Sequence, residues 1–176
     1  MKYKQLILRA PEPEDIEFLY SWENDTSMWQ LSNTLAPFSK YTLKKYIESS
    51  SGSIYEDGQI RLMITIESTG NTIGTIDLFD FDPFNQRAGI GVLIADKGER
   101  RKGYAKMALE ALIDYSFGRL KLHQLYCNIL ADNLKSINLF KGMGFKVAGK
   151  KEEWIRSDNK YLDEYILQLL NPNISK

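Results

Sequence analysis

Cysteine and histidine are almost absent from this chain of 176 residues, which has one of each, Cys127 and His123. A single cysteine excludes an internal disulfide, and its place in the strand-like run 125–129 is typical of a half-buried thiol. One cysteine and one histidine do not supply a zinc-type ligand cluster, so we expect no metal site. His123 lies at the start of the strand predicted over 123–129, and we expect its role to be structural.

The chain also lacks an excess of charge and any long apolar run. Its 23 basic and 23 acidic residues cancel, which argues against a protein built to coat nucleic acid or an anionic membrane. No run approaches the length that spans a bilayer, and no secretory signal is visible after residues 1–5. We therefore expect a cytoplasmic protein with no nucleic-acid or membrane partner.

No linker, low-complexity tract or internal repeat divides the sequence, so we expect one domain over residues 1–176. In the first part of the chain, the patterns predict a strand at 5–9, a helix from Pro13, an irregular segment at 25–37, a helix capped by Ser39 and ending near 49, and a loop at 50–57.

The second part of the chain alternates strands and helices. The patterns predict a hairpin of 60–67 with 72–79, a turn at 82–85, a strand at 87–94, a helix from Gly103 to near Gly118, a strand at 123–129, a helix at 133–143, and a hairpin of 150–156 with 161–170 around a turn at 157–160. This order predicts an α/β fold with one mixed sheet and helices on both of its faces.

A basic turn at 99–106 joins the strand-like run 89–94 to the helix-like run 107–112. A helix N-terminus presents unpaired N–H groups and the positive end of the helix dipole, which suits phosphate. An ordinary strand-to-helix turn with solvated cations explains the same residues. This segment alone does not decide between the two.

Three motifs resemble those of the GNAT superfamily of N-acetyltransferases, and the first two lie in the order and spacing expected of that superfamily. Arg100-x-x-Gly103-x-Ala105 resembles the Q/R-x-x-G-x-G/A acetyl-CoA loop, and residues 132–145 resemble the N-x-x-(A/S)-x-x-(L/I)-(Y/F)-x-x-x-G-F segment. Residues 8–15 resemble the start of the branch that holds spermidine/diamine and ribosomal-protein acetyltransferases. The resemblance implies about seven mostly antiparallel strands. It also implies that the fourth and fifth strands splay apart around the pantetheine arm.

Acetyl-CoA is the acetyl donor that the resemblance implies, with the backbone N–H groups of 100–105 on the pyrophosphate. Gly103 and Ala105 are small enough for close approach, and nearby cations add charge. The resemblance assigns Asn133 to the pantetheine, and a helix N-cap is the alternative role for this side chain. The full set implied for acetyl-CoA is Leu93, Ile94, Ala95, Arg100, Arg101, Lys102, Gly103, Tyr104, Ala105, Lys106, Asn133, Ser136, Phe140 and Lys141.

Phe140 departs from the family pattern, because many members have a tyrosine there that protonates the departing thiolate. Phenylalanine has no proton to give, so we expect Phe140 to pack beside the thioester without a catalytic role. The thiolate is a tolerable leaving group even without such help, because thiols have a pKa of about 8.5.

The amine acceptor needs a base, because a lysine-like amine has a pKa of about 10.4. Asp80 is the first candidate, since it resembles a polyamine-contacting glutamate of spermidine acetyltransferases, and Asp77 is the second. Strict alternation along the strand predicts that Asp77 and Asp80 lie on opposite faces. A strand-end or turn aspartate remains the alternative for each. A glutamate that relatives use as base corresponds to Gly89 here.

The acceptor pocket implied by the resemblance is lined by Trp29, Phe38, Asp80 and Trp154, and packing is the alternative role for each aromatic side chain. Spermidine acetyltransferases carry acidic residues in the segment that corresponds to 31–36, and this chain has none there.

The sequence therefore predicts an acetyl-CoA-dependent N-acetyltransferase that acts directly on a primary amine of a small molecule or protein N-terminus. Two alternatives stay open: a polyamine acetyltransferase, and a coenzyme A-binding module without turnover. A Rossmann-type dinucleotide site is excluded, because no second glycine precedes Gly103 at the G-x-G spacing. The resemblance also implies a homodimer or a higher homo-oligomer.

Overall fold

Eight strands form a single sheet with helices packed on both of its faces in this computed structural model, which describes residues 1–32, 34–157 and 159–174 and omits the side chains of 30–32. The strands are β1 (Lys2–Tyr3), β2 (Leu6–Arg9), β3 (Ile60–Ile66), β4 (Thr72–Asp82), β5 (Arg87–Ile94), β6 (Gln124–Leu130), β7 (Lys146–Ser157) and β8 (Lys160–Leu170). The helices are α1 (Ile16–Glu23), α2 (Thr26–Ser32), α3 (Lys40–Glu48), α4 (Ile54–Asp57), α5 (Tyr104–Gly118) and α6 (Leu134–Gly142), with short 3₁₀ turns at Pro13–Asp15 and Lys97–Glu99.

The spatial order of the strands is β1-β2-β3-β4-β5-β6-β8-β7. Neighbouring strands are antiparallel throughout, except for the parallel pair β5 and β6. A parallel pair needs a long crossover, and α5 provides it. The predicted mixed sheet is confirmed, with one short strand, β1, beyond the expected seven.

Strand alternation gives the sheet two buried faces. On the α5 face, Ile76 and Leu78 of β4 share a core with Leu109 and Leu112 of α5. On the opposite face, which we call the α1 face, Leu19 of α1 and Leu43 of α3 pack on Met63 of β3. The α1 face is the thinner layer, and Trp22, Phe38 and Ile47 complete it.

Most of the predicted elements are confirmed, including β5 with both of its ends and α5 from Gly103 to Gly118. Ser39 caps α3 as expected, since its Oγ accepts from the N–H of Thr42 at 3.0 Å. The last hairpin is longer than predicted, since β7 begins at Lys146, and Asp158 in its predicted turn lies outside the described residues.

Two predictions for the first part of the chain are wrong. The segment 25–37 contains α2, because the Asp25 carboxylate accepts from the Ser27 N–H at 3.0 Å and so starts a helix. The expected loop at 50–57 contains the single turn α4, where Gly58, with a φ of 67°, ends the turn by donating to the Ile54 carbonyl.

The predicted strict alternation in β4 is also wrong at its end. Pairing with β5 shifts between Phe79 and Asp82, and Asp80 has a φ of 49°, so a β-bulge interrupts the strand. The Asp80 carboxylate accepts from the hydroxyl of Tyr126 at 2.9 Å. Register places Tyr126 beside Gly89 on the α1 face, so the bulge turns Asp80 to the same face as Asp77.

The predicted gap in the sheet is present between β5 and β6, which are the fourth and fifth of the seven expected strands because β1 is additional. These strands pair only from Arg87 to Gly89 on β5 and from Gln124 to Tyr126 on β6. Beyond Gly89 the two strands diverge, and the facing edge of β5 has no strand partner among the described residues. None of the helices in the described parts of the chain is long and apolar enough to cross a membrane.

Candidate active site

A cavity of about 560 Å³ fills the gap between β5 and β6 and reaches both faces of the sheet. Toward the α5 face it is lined by Asn133, Ser136 and Phe140 of the α6 segment. Toward the α1 face it is lined by Trp22 and Glu23 at the end of α1 and by Arg61 and Asp77 on the β3–β4 hairpin. We call these the donor end and the acceptor end.

An ion-paired triad, Glu23–Arg61–Asp77, lies at the acceptor end. The β3–β4 register sets Arg61 directly opposite Asp77, and its Nε donates to Asp77 Oδ1 at 2.8 Å. Its Nη1 donates to Glu23 Oε1 at 2.5 Å. Sequence reasoning found Asp77 and missed Glu23 and Arg61. The register at the hairpin turn does not by itself give the Arg61–Asp77 pair, because the pairing of β3 with β4 shifts between Ile64 and Thr65, and the Glu23 contact depends on how α1 packs.

Burial raises the pKa of the Asp77 carboxyl above its usual value, although the charge of Arg61 opposes the rise. Burial of Arg61 lowers its own pKa, but the charges of Asp77 and Glu23 outweigh this and raise the pKa overall. The arginine therefore stays charged. Asp77 is a stronger base than an exposed aspartate, which suits a group that takes a proton from an amine.

A second ion pair, Lys151 with Glu164, closes the acceptor end from the β7–β8 hairpin. The Lys151 Nζ lies 2.9 Å from Glu164 Oε2 and donates to Asn128 Oδ1 at 3.2 Å. The pairing of β7 with β8 shifts between Lys151 and Ile155, and this bulge projects Trp154, whose side chain lines the cavity. Lys151 also lies over the Trp154 ring, 5.1 Å from its centroid.

Phe79 lines this cavity and contacts Tyr126, which lines a second cavity of about 640 Å³. Its ring packs edge-on against Tyr126 at a centroid distance of 6.1 Å. The second cavity is lined by Asp80, Asp82, Arg87 and Tyr126. Burial and the Asp80 carboxylate raise the pKa of Tyr126 to about 12. Of the two candidate bases, the structure thus brings Asp77 to the gap and Asp80 to the neighbouring cavity.

The N-terminus of α5 offers unpaired backbone donors, as the sequence predicted. The first backbone bond onto the helix runs from Met107 N–H to the Gly103 carbonyl, so the N–H groups of 104–106 have no partner in the described part of the chain. Gly103 has a φ of 86°, a conformation that favours glycine. The neighbouring Arg101 also has a positive φ, of 66°.

The loop cations are only partly available to an anion. Arg100 ties the loop to the end of β5, since its Nε donates to the Ile94 carbonyl at 2.8 Å and its Nη2 to the Ala95 carbonyl at 3.4 Å. Lys102 pairs with Glu99 at 2.9 Å, and Lys106 lies 4.0 Å from Glu110. Arg100 is therefore an anchor of the loop, a role that the motif did not reveal.

The remaining donor-side candidates fall into two groups. Leu93, Asn133, Ser136 and Phe140 line the cavity, and the Asn133 Oδ1 also caps α6 by accepting from the Ser136 N–H at 3.2 Å. The others lie away from the cavity lining: Ile94 ends β5 and Ala95 follows it, Tyr104 and Ala105 begin α5, and Lys141 is exposed on α6.

Trp154 is the acceptor candidate that the structure brings to the gap. Trp29 instead donates its Nε1 to the Glu23 carbonyl at 2.8 Å and so supports the end of α1. Phe38 packs with Leu19 and Leu43 in the α1-face core. In the segment 31–36, Asn33 lies outside the described residues, as do the side chains of 31 and 32.

Cys127 lies in the cavity lining, where a nucleophilic cysteine would be suitably placed. Burial raises the pKa of its thiol to about 12, so the thiolate is scarce at neutral pH. This environment disfavours an acyl-cysteine intermediate and favours direct attack by an amine.

Comparison with known proteins identifies similar sequences. A family model described as an acetyltransferase (GNAT) domain matches residues 5–146. The chain is similar to p20, an uncharacterized N-acetyltransferase of Bacillus licheniformis, at 28% identity over 170 residues, which cover 95% of this chain and 93% of that protein. It is also similar to spermidine N(1)-acetyltransferase of Vibrio cholerae, at 26% identity over 167 residues, which cover 93% of this chain and 94% of that protein.

Solved structures share the architecture. A crystal structure of the Vibrio cholerae spermidine N-acetyltransferase in complex with CoA and spermine matches with a TM-score of 0.85 at 24% identity, over 95% of this chain and 96% of that one. A GNAT-family acetyltransferase from Bacillus anthracis matches with a TM-score of 0.80 at 20% identity, over 97% of this chain and 98% of that one. These similarities establish the fold.

Proposed function

This chain belongs to the GNAT acetyltransferase family, as its motifs predicted, and is an N-acetyltransferase that uses acetyl-CoA; we propose that it acetylates a primary amine bound at the acceptor end, with Asp77 as the base. The observation that carries the proposal is the cavity between β5 and β6, which joins Phe140 on one face of the sheet to Asp77 on the other. An amine and a thioester that enter from opposite faces would meet there.

In the proposed reaction the amine nitrogen attacks the thioester carbonyl carbon, the carbon–sulfur bond breaks, and the amine proton passes to Asp77. The raised pKa of Asp77 supports this role, and the high pKa of Cys127 supports transfer without a covalent enzyme intermediate. Phe140 has no proton to give, so the coenzyme A thiolate takes its proton from solvent. The buried position of Phe140 beside Phe145 fits a packing role.

On the donor side, we propose that the N–H groups at the start of α5 bind the pyrophosphate, and that the free edge of β5 near Leu93 binds the pantetheine. Arg101 and Lys106 add positive charge, while Arg100 fixes the loop through the Ile94 carbonyl. The Asn133 amide oxygen caps α6, which leaves its amide nitrogen to donate to the pantetheine.

We further propose a single domain over the whole chain and a cytoplasmic location, with self-association into a homo-oligomer. The single sheet that runs from Lys2 to Leu170 supports a single domain. A structure of Vibrio cholerae spermidine N-acetyltransferase that is described as dodecameric supports self-association. The acidic and basic groups of the acceptor end bear on the polyamine alternative.

Thiol release from acetyl-CoA with a panel of amines tests the proposal, with Asp77→Asn as the variant and Asp80→Asn as the matched control. We expect Asp77→Asn to lower kcat by about 10²-fold or more, as expected for loss of a general base, with acetyl-CoA affinity little changed. Asp80→Asn should stay within a few-fold of wild type. The reverse ranking would make Asp80 the base. If the chain binds acetyl-CoA but releases no thiol from it with any amine, the alternative of a coenzyme A-binding module without turnover would be favoured.

A further inference from the structure

The charged groups of the acceptor end are already paired with one another. Arg61 is held between Glu23 and Asp77, and Lys151 is held by Glu164. The charged side chains among the cavity's described lining residues are thus three carboxylates and two cations, each cation in contact with a carboxylate. One negative charge remains, which one ammonium group would neutralise.

A second ammonium group would find no unpaired carboxylate among the described residues that line this cavity. It would have to displace Arg61, whose three contacts to Glu23 and Asp77 include two nitrogen atoms on one carboxylate, or lie beside a like charge. To displace Lys151 instead, the ammonium group would have to reach Glu164, whose side chain is only 8% exposed. Either course costs desolvation and repulsion that a single ammonium group avoids.

The walls of the acceptor end are apolar and largely aromatic. Trp22 at the end of α1, Phe79 on β4, and Trp154 and Ile155 on β7 surround the charged groups. The Trp154 ring already faces the Lys151 ammonium at 5.1 Å, so its cation–π capacity on that face is taken. Flat or alkyl bodies would pack on such walls, whereas a charged chain would not.

We propose that the acceptor is a primary monoamine with an uncharged aryl or alkyl body, and that diamines and polyamines are poor acceptors. This inference rests on the proposed function and specifies its substrate class. It differs from the activity for which the spermidine acetyltransferases among the relatives are named.

The test measures thiol release from acetyl-CoA by the purified full chain, with pairs of amines that differ in their number of ammonium groups. Octylamine is paired with 1,8-diaminooctane, and phenethylamine is compared with spermidine. We expect kcat/KM for each monoamine to exceed that of the diamine or polyamine it is compared with by about tenfold or more, equivalent to about 1.4 kcal/mol. Equal or faster turnover of 1,8-diaminooctane and spermidine would overturn the inference while supporting the acetyltransferase. Failure of every amine would overturn both.

A charge variant tests the cause of the preference. Lys151→Gln removes a cation from the acceptor end but keeps a donor for Glu164 and Asn128, so that the fold is preserved better than with an apolar replacement. Lys150→Gln is the control, because Lys150 lies next along β7 and pairs outside the cavity with Asp163 at 2.7 Å. The kcat/KM ratio of 1,8-diaminooctane to octylamine should rise about tenfold in Lys151→Gln and stay at the wild-type value in Lys150→Gln. Equal ratios in the two variants would contradict the proposed cause.

Discussion

The ring of Phe79 occupies the space that a side chain at residue 89 would need: a Cβ built on Gly89 would lie 2.2 Å from Cε2 of Phe79. These two residues are directly opposite each other on β4 and β5. Relatives that use a glutamate at the corresponding position must fill this space differently. The absence of a side chain at Gly89 therefore makes room for the Phe79 ring in the wall of the acceptor end, and the proposed base, Asp77, lies on β4 instead.

The first prediction is that Gly89→Ala destabilises the protein by about 1–3 kcal/mol, because the new methyl group forces Phe79 to move within a packed layer. Urea unfolding measures the change. The double variant Gly89→Ala/Phe79→Ala should be less destabilised than the sum of the two single variants, since the truncated ring leaves room for the methyl group. Additive losses would show that the two residues do not compete for space.

A second prediction separates backbone strain from acetyl-CoA binding at Gly103. Gly103→Ala places an alanine at a φ of 86° and should cost about 1 kcal/mol of stability. Gly70→Ala is the matched control, because Gly70 has a φ of 72° in the β3–β4 turn and open space around its Cα. We expect similar losses of stability by thermal unfolding, whereas calorimetry should detect about tenfold weaker acetyl-CoA binding only in Gly103→Ala. Equal affinities in the two variants would remove Gly103 from the donor site.

The third prediction concerns Asp15, a buried carboxylate in the 3₁₀ turn that precedes α1. Arg9 donates to both of its oxygen atoms, at 2.5 and 2.8 Å, and the Glu12 N–H donates at 2.8 Å. Burial raises the pKa of Asp15, but these donors outweigh it and lower the pKa overall. Asp15→Ala should cost about 1–3 kcal/mol, because it leaves the Glu12 N–H without its acceptor and Arg9 without its carboxylate partner, while the 34% exposure of the Arg9 side chain lets water replace part of that contact.

The pH dependence of the Asp15 contribution follows from the direction of its shift. A carboxyl group with a lowered pKa in the folded state stabilises the protein above its unfolded pKa, about 3.9. That contribution is lost as the pH falls from there through the folded pKa. The stability difference between wild type and Asp15→Ala should therefore shrink on acidification below pH 4, as measured by urea unfolding at each pH.

Sequence reasoning succeeded where neighbouring residues determine the structure. This is true of the helix cap at Ser39, of the glycine that starts α5 and of the bounds of β5. The acetyl-CoA loop could likewise be recognised because its residues keep a fixed spacing in the sequence. The acceptor end was mostly missed, because it is assembled from distant segments. Arg61 reaches Glu23 across 38 positions of sequence, and Lys151 reaches Glu164 through a hairpin with a bulge. Strict alternation predicts that Asp80 and Asp77 lie on opposite faces of the sheet, and the β-bulge at Asp80 breaks this alternation.

The last prediction uses the opposite sign of pKa shift at Asp77. Burial raises the pKa of this carboxyl, so between the unfolded value and the raised folded value the native chain holds more protons than the unfolded chain. Stability contributed by Asp77 therefore falls as the pH rises through that window. Asp77→Asn lacks this proton equilibrium, so its stability should fall less than that of wild type over the same interval. Urea unfolding of both proteins at closely spaced pH values from 4 upward measures the difference. Parallel curves would mean that Arg61 cancels the effect of burial, and Asp77 would then be an ordinary ion-pair partner rather than a strengthened base.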